Sequence, residues 1–223
     1  DRLAQALRVA GTDAPVLITG PRGSGKSVLA AASQRASARR HDKWVRFDCA
    51  TLSSEAALAD ALAGRAQPSD DEPSSQRRGT GGGTLYLEAL DALSPPLQAV
   101  LVQHLSASVD AAAAETRPRL LASTHRDLAQ LCAVDGFRED LYYRFAALQI
   151  AMPPLAQRRE DITLLAASQL DQLAEVTGRR LVLAPEASEA LVSADWPGNL
   201  PQLYAVLAQL HATTTGSVIS AEM

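Results

Sequence analysis

Short, uninterrupted apolar runs alternate along this chain with longer stretches in which apolar residues return every three or four positions. Residues 15–19 (PVLIT), 44–49 (WVRFDC), 84–87 (TLYL), 119–124 (RLLAST) and 147–152 are of the first kind. Their length and their branched and aromatic content predict buried strands. Residues 27–40 are rich in alanine and free of glycine and proline, and residues 53–63 carry Ser54 as a cap, so both predict helices. A further helix opens at Ser94 with Pro95 and Pro96 in its first turn, where proline is tolerated. Residues 1–9 have a helical spacing, Leu3, Ala6, Leu7 and Val9, that fades at Gly11. Strand and helix in strict alternation imply an α/β fold with a mainly parallel sheet covered by helices. After Pro154 the strands stop. Residues 162–176, 185–194 and 200–212 read as helices, giving an α/β core over 1–154 and a smaller helical domain over 155–223.

One segment breaks the alternation. Residues 64–83, GRAQPSDDEPSSQRRGTGGG, contain no large apolar residue and cannot bury themselves, so a mobile loop is expected there.

The 223 residues are 47% apolar, enough for a substantial core. Twenty-one basic against 25 acidic residues leave a net charge of -4, which argues against the whole surface being a nucleic-acid footprint. With 4% aromatic residues, base-stacking platforms are not evident either. Cys49 and Cys132 stand far apart in no metal-ligand spacing, as expected of two thiols in a reducing cytoplasm. His41, His104, His125 and His211 share no spacing that suits zinc, so no metal is expected beyond magnesium held with a nucleotide. No apolar run reaches the eighteen or so residues of a membrane span. The chain opens at Asp1 without an initiator Met and reads as a piece of a longer protein.

Gly20-Pro21-Arg22-Gly23-Ser24-Gly25-Lys26-Ser27 fits GxxxxGK[ST] at every position, after a predicted strand and before a predicted helix. Glycines let backbone N–H groups close around phosphates, and the helix start adds a favourable dipole. Lys26 is placed to reach the β and γ phosphates of ATP or ADP, and Ser27 to ligate magnesium. Arg22 is either a second cation for the phosphates or a solvated side chain.

Further motifs follow in a fixed order. APVLITG precedes the phosphate loop; GGTLYLEAL, LQAVLVQHL, ASTHRDL, FREDLYYRF, MPPLAQRREDITLLA and WPGNLPQL come after it. The set resembles the AAA+ domain of bacterial enhancer-binding, NtrC-type regulators, the ATPases that remodel the sigma-54 form of RNA polymerase. That family has GGTLFLDE, LQAKLLRVL, AATNRDL, PPLRERREDIPLLA and WPGNVREL at the corresponding places. The resemblance covers nearly the whole chain. It implies a three-layer P-loop domain with a helical lid in a cytoplasmic homo-oligomer. RNA polymerase is the implied partner, and DNA is contacted through a domain outside this segment.

The departures from the family pattern gather around one phosphate. Where the family has an Asp for the magnesium shell and a Glu that polarises the attacking water, this chain has Glu88 and Ala89. Glu88 can still serve the metal, but Ala89 cannot act as a base. Asp91 is expected to cap or precede the next helix. The sensor Asn is His125, the Asn that communicates with the catalytic Glu is Asp48, and the lid arginine is Pro201. Arg138 and Arg144 match the positions that reach into a neighbouring subunit, or else pair with Glu139 and Asp140 on a helix surface. The GAFTGA loop that touches sigma-54 is replaced by a shorter segment without an aromatic residue. The sequence therefore points to a nucleotide-binding module, independent of sigma-54 and with weak or no ATP hydrolysis. An active ATPase, or a cyclic di-GMP receptor using Lys26, Arg22, Arg77 and Arg78, are the alternatives.

Overall fold

The computed structural model describes residues 11–65, 82–106 and 117–220, and elements are numbered over these. The helix expected over 1–9, most of the loop over 64–83, and Arg77 and Arg78 lie outside them. The chain forms two compact units, one of Asp1–Gly20 with Lys26–Met152, the other of Pro21–Gly25 with Pro153–Met223.

The first unit is built on five strands: β1 (Val16–Thr19), β2 (Trp44–Asp48), β3 (Thr84–Glu88), β4 (Arg119–Thr124) and β5 (Gln149–Ala151). Every pairing is parallel, in the order β2-β3-β4-β1-β5. β1, β3 and β4 alternate between two buried faces, which is why they read as apolar runs, whereas the edge strands β2 and β5 leave Arg46, Asp48, Gln149 and Ala151 exposed. Leu17, Leu85, Leu87, Leu120 and Ala122 share one face with Leu58 and Leu62 of α2 (Glu55–Leu62) and Leu97 and Leu101 of α3 (Pro95–Ser106). Leu131 of α4 (Leu128–Ala133) and Leu141 and Phe145 of α5 (Glu139–Ala146) complete that layer. Val16, Ile18, Trp44, Tyr86, Leu121 and Ile150 form the other face, against Leu29 and Ala30 of α1 (Lys26–Arg35). Trp44 stacks on Tyr86, ring centres 5.6 Å apart.

Local chemistry sets the element ends. Ser54 caps α2, its Oγ accepting from the Ala57 N–H at 3.1 Å. The helix expected over 27–40 stops at Arg35 because side chains compete for its last carbonyls. Ser37 Oγ donates to the Gln34 carbonyl, and Gln34 Nε2 donates to the Arg39 carbonyl, both at 2.7 Å.

The second unit packs α6 (Glu160–Thr177), α7 (Pro185–Ser193) and α8 (Asn199–Thr213) around Ile162, Leu170, Leu191, Trp196, Leu203 and Leu207. Strands do not stop at Pro154, contrary to expectation. Val182–Leu183 (β6) and Val218–Ile219 (β7) pair in parallel, and buried Ile219 joins this core. Two-residue strands leave no alternation to read in the sequence.

Candidate functional site

The phosphate loop leaves β1 at Gly20 and enters α1 at Lys26. Gly20 (φ 147°), Gly23 (φ 72°) and Gly25 (φ 92°) adopt the positive φ that only glycine takes without strain. At Gly20 a Cβ would also lie 2.3 Å from the Met152 carbonyl oxygen. Lys26 Nζ donates to the Gly20 carbonyl at 2.9 Å, so its ammonium is folded back over the loop.

Residues 21–25 are fixed by partners within the second unit. Asn199 Nδ2 donates to the Arg22 carbonyl (2.9 Å), the Leu200 N–H to that of Gly23 (3.1 Å) and Arg158 Nη2 to that of Ser24 (2.5 Å). Holding these carbonyls orients the peptide planes whose opposite edges carry the N–H groups of Gly23 and Gly25, the groups a phosphate would meet. Pro201 is part of this cradle: a Cβ on Gly23 would come within 2.6 Å of its Cδ. Arg22 itself is exposed. Burial lowers the pKa of the Arg158 guanidinium, an effect that Asp161 opposes.

In the first unit, Ser27 Oγ donates to Glu88 Oε1 at 3.1 Å, so these two predicted residues do meet. The other carboxylate oxygen has a partner that sequence reasoning missed. Arg46, in the middle of β2, donates to Glu88 Oε2 from Nε (2.9 Å) and Nη2 (2.5 Å). Register explains the meeting: Arg46 lies opposite Tyr86 and Asp48 opposite Glu88, so Arg46 and Glu88 are diagonal neighbours on one face of a parallel pair. The detectable signal was a lone arginine inside an otherwise strand-like run.

Ser27 and Glu88 are the groups that the resemblance assigns to magnesium. Mg²⁺ takes six oxygens at about 2.0–2.1 Å, of which one or two come from carboxylates and the rest from waters and substrate phosphates. Here the one carboxylate is already neutralised by a bidentate guanidinium of the same protein. Ser27 and Glu88 would hold such an ion only together with the phosphates of a nucleotide, with Arg46 competing for Glu88.

The remaining departures cluster at the carboxyl ends of the strands. Ala89 sits in the left-handed region (φ 54°, ψ 54°), and its methyl group offers nothing to a water molecule. Asp91 precedes the next helix, one of the two places expected for it, without capping it. Its side chain, 4% exposed, accepts from Thr124 Oγ1 at 2.6 Å and lies 3.8 Å from His125 Nδ1. His125 lines a cavity of about 300 Å³ with Thr19, Gly20, Arg126, Asp127 and Gln149. The Asp48 carboxylate accepts from the Ala50 N–H at 2.9 Å, closing the turn after β2. Cys49 is buried beneath this group, and burial, with Asp48, Asp91 and Glu88 adding to it, pushes its thiol up to about 12. Tyr86 donates toward Ser27 Oγ at 3.3 Å and pairs with Ser123 Oγ at 2.8 Å; burial raises its pKa despite both bonds.

Arg138 and Arg144 stand apart from this cluster, both exposed on or beside α5. Arg138 binds Asp140 through Nε (3.0 Å) and Nη2 (2.7 Å), which holds that carboxylate below its usual range. Among the described residues Arg144 pairs with no acid; its guanidinium donates to the Leu105 carbonyl and Ser106 Oγ, both at 2.9 Å, at the end of α3.

Comparison with known proteins places this geometry. Residues 1–151 match the family model described as the sigma-54 interaction domain, and residues 156–223 the AAA+ ATPase lid domain. The chain is 36% identical to the transcriptional regulatory protein ZraR of Salmonella typhimurium, over 98% of its own length and 52% of the relative's. It is 38% identical to GlrR of Escherichia coli, over 98% and 51% of the two lengths. It thus spans about half the length of these relatives. Among solved structures, NtrX of Brucella abortus superposes with a TM-score of 0.77 at 28% identity, covering 100% of this chain and 53% of that one. NtrX was also solved in complex with ATP (TM-score 0.74, 27% identity, 99% and 53% coverage) and with ADP (0.75, 28%, 99% and 52%).

Proposed function

Because the chain belongs to the sigma-54 interaction domain family and carries an AAA+ lid, we propose that it is the nucleotide-binding regulatory and oligomerisation module of a bacterial transcriptional regulator, with ATP or ADP as ligand and little or no hydrolysis. The observation that carries this reading is Ala89 one residue beyond β3, directly after the Glu88 that meets Ser27, together with a phosphate loop whose glycines, Lys26 and helix start are all in place. Binding depends on the loop. Turnover depends on a base aimed at water, and loss of such a group costs about 10²–10⁴ in rate. The NtrX complexes with ATP and ADP support the choice of ligand.

The partner side of the proposal has less to stand on. Residues 64–83 hold no aromatic residue to serve as a sigma-54 contact, so the reading is a regulator working with the ordinary polymerase, with DNA bound by a domain outside this segment. Exposed Tyr143 and Val134 beside Arg138 and Arg144 support self-association through that face.

A second reading, an ATPase that remodels a polymerase partner, draws on one observation: His125 has Asp91 behind it, as a histidine base has in many hydrolytic sites. One experiment separates the two. ADP and ATP are titrated against wild type and Lys26→Ala, phosphate release is followed, and mass in solution is recorded. The proposal expects binding that is lost in Lys26→Ala, with phosphate release at background. Phosphate release above background that is lost in Lys26→Ala supports the second reading and refutes the first.

A further inference from the structure

Ser27 and Glu88 are both engaged with protein donors. Ser27 Oγ donates to Glu88 Oε1 at 3.1 Å and accepts from Tyr86 Oη at 3.3 Å, while Glu88 Oε2 accepts from Arg46 Nε and Nη2 at 2.9 and 2.5 Å. A magnesium ion brought in with a nucleotide's phosphates needs lone pairs from that hydroxyl and that carboxylate. For the ion to enter, the Ser27 proton has to turn away from Glu88, and Glu88 has to give up Arg46.

The neighbouring acids do not relieve this. Asp48 accepts from the Ala50 N–H at 2.9 Å, and Asp91, 4% exposed, accepts from Thr124 Oγ1 at 2.6 Å. Among the described residues Ser27 Oγ meets only Glu88 and Tyr86, so Glu88 is the acid that the loop hydroxyl addresses. Arg46 is kept on it by the β2–β3 register and by a planar fork that a lysine cannot reproduce. The two side chains are 41% and 30% exposed, so solvent screens the pair and it can open.

Granted the nucleotide-binding reading above, we infer that Arg46 is an autoinhibitory contact on the metal ligand: it occupies Glu88 and so weakens the site for a magnesium–nucleotide complex. A guanidinium left beside the dication after the pair opens also repels it. Without metal the sign reverses. Arg46 then cancels the charge of Glu88, which would otherwise repel the phosphates of a free nucleotide. Removing Arg46 thus raises the preference for the metal complex over the free nucleotide.

Calorimetric titration of ADP into the whole chain, once with excess EDTA and once with excess Mg²⁺, tests this on wild type and Arg46→Gln. The variant is expected to bind about threefold or more tighter than wild type with Mg²⁺, and no tighter than wild type in EDTA. Damage to the fold would weaken binding in both buffers, so a gain confined to Mg²⁺ separates the two causes. Arg46→Met, which keeps an unbranched stem, serves if the glutamine variant misfolds, and Arg46→Lys, which keeps the charge without the fork, should fall between. A variant no tighter than wild type with Mg²⁺, or one tighter than wild type in EDTA as well, overturns the inference and leaves the nucleotide reading intact. Absence of wild-type binding in both buffers overturns the nucleotide reading and the inference with it.

Discussion

Asn199 offers a sharp test of how the second unit holds the phosphate loop. Its side chain is buried, 3% exposed, and works at both ends. Oδ1 accepts the buried Leu155 N–H at 2.8 Å, and Nδ2 donates to the Arg22 carbonyl at 2.9 Å. Its backbone is left-handed, φ 54°, which asparagine adopts at lower cost than alanine. Asn199→Ala strands the Leu155 N–H, which costs about 1–3 kcal/mol, and gives up a part-buried bond worth about 0.5–1.5 kcal/mol. The backbone penalty adds about 1 kcal/mol. The sum is about 2.5–5.5 kcal/mol, with smaller losses for Asn199→Gly, which escapes the backbone penalty, and for Asn199→Asp, which keeps the acceptor. Urea unfolding reports it, with Trp44→Phe as background so that Trp196, buried in the same unit as Asn199, is the fluorophore. A cost below about 1 kcal/mol for the alanine variant, or glycine costing more than alanine, would mean that neither the bonds nor the backbone matter as argued.

Two further outcomes follow from the same site. Gly23→Ala combines a positive φ of 72° with a Cβ only 2.6 Å from Pro201 Cδ and 3.0 Å from the Gly198 carbonyl oxygen. It should destabilise the second unit by about 2–4 kcal/mol and weaken ADP binding, read by the same unfolding and titration assays. Cys49, with its thiol raised from 9.0 to about 12, should resist iodoacetamide in the native state at pH 8 and react once urea unfolds the chain. The folded form keeps its proton where the unfolded form loses it, so Cys49 supports stability fully below pH 9 and loses that support progressively as pH rises toward 12. Native labelling as fast as that of the unfolded chain, or no fall in stability across that window in wild type relative to Cys49→Ala, contradicts the burial argument.

What the sequence disclosed depends on how local the cause is. β4 spans Arg119–Thr124 as its apolar run predicts, and the cap on α2 is Ser54, because buried strands and caps are decided by adjacent residues. The phosphate loop was legible for the same reason. The affiliation of Pro21–Gly25 with the second unit was not, since the Asn199–Arg22 bond joins residues 177 apart in sequence. Asp91 illustrates the intermediate case. It was expected to cap or precede α3; it precedes it, and since parallel pairing brings β3 and β4 together, Thr124 takes the carboxylate.

Arg46 shows why a motif alone does not define a site's electrostatics. A scan of the strand that carries Glu88 finds one acid where two are expected, and stops there. Register adds the rest: in a parallel pair, position 46 on β2 is two residues short of the partner of Glu88, within reach of a long side chain and on the same face. An arginine mid-strand, on a face whose other members are Trp44 and Tyr86, has to find a counter-charge nearby. The only acid side chains the β2–β3 register places on that face are Asp48 and Glu88, and Asp48 is turned to the Ala50 N–H. Glu88 is the remaining partner. The left-handed Ala89 and the Arg46–Glu88 pair thus meet at one strand end, the first set by the chain's own turn and the second by the register of its neighbour.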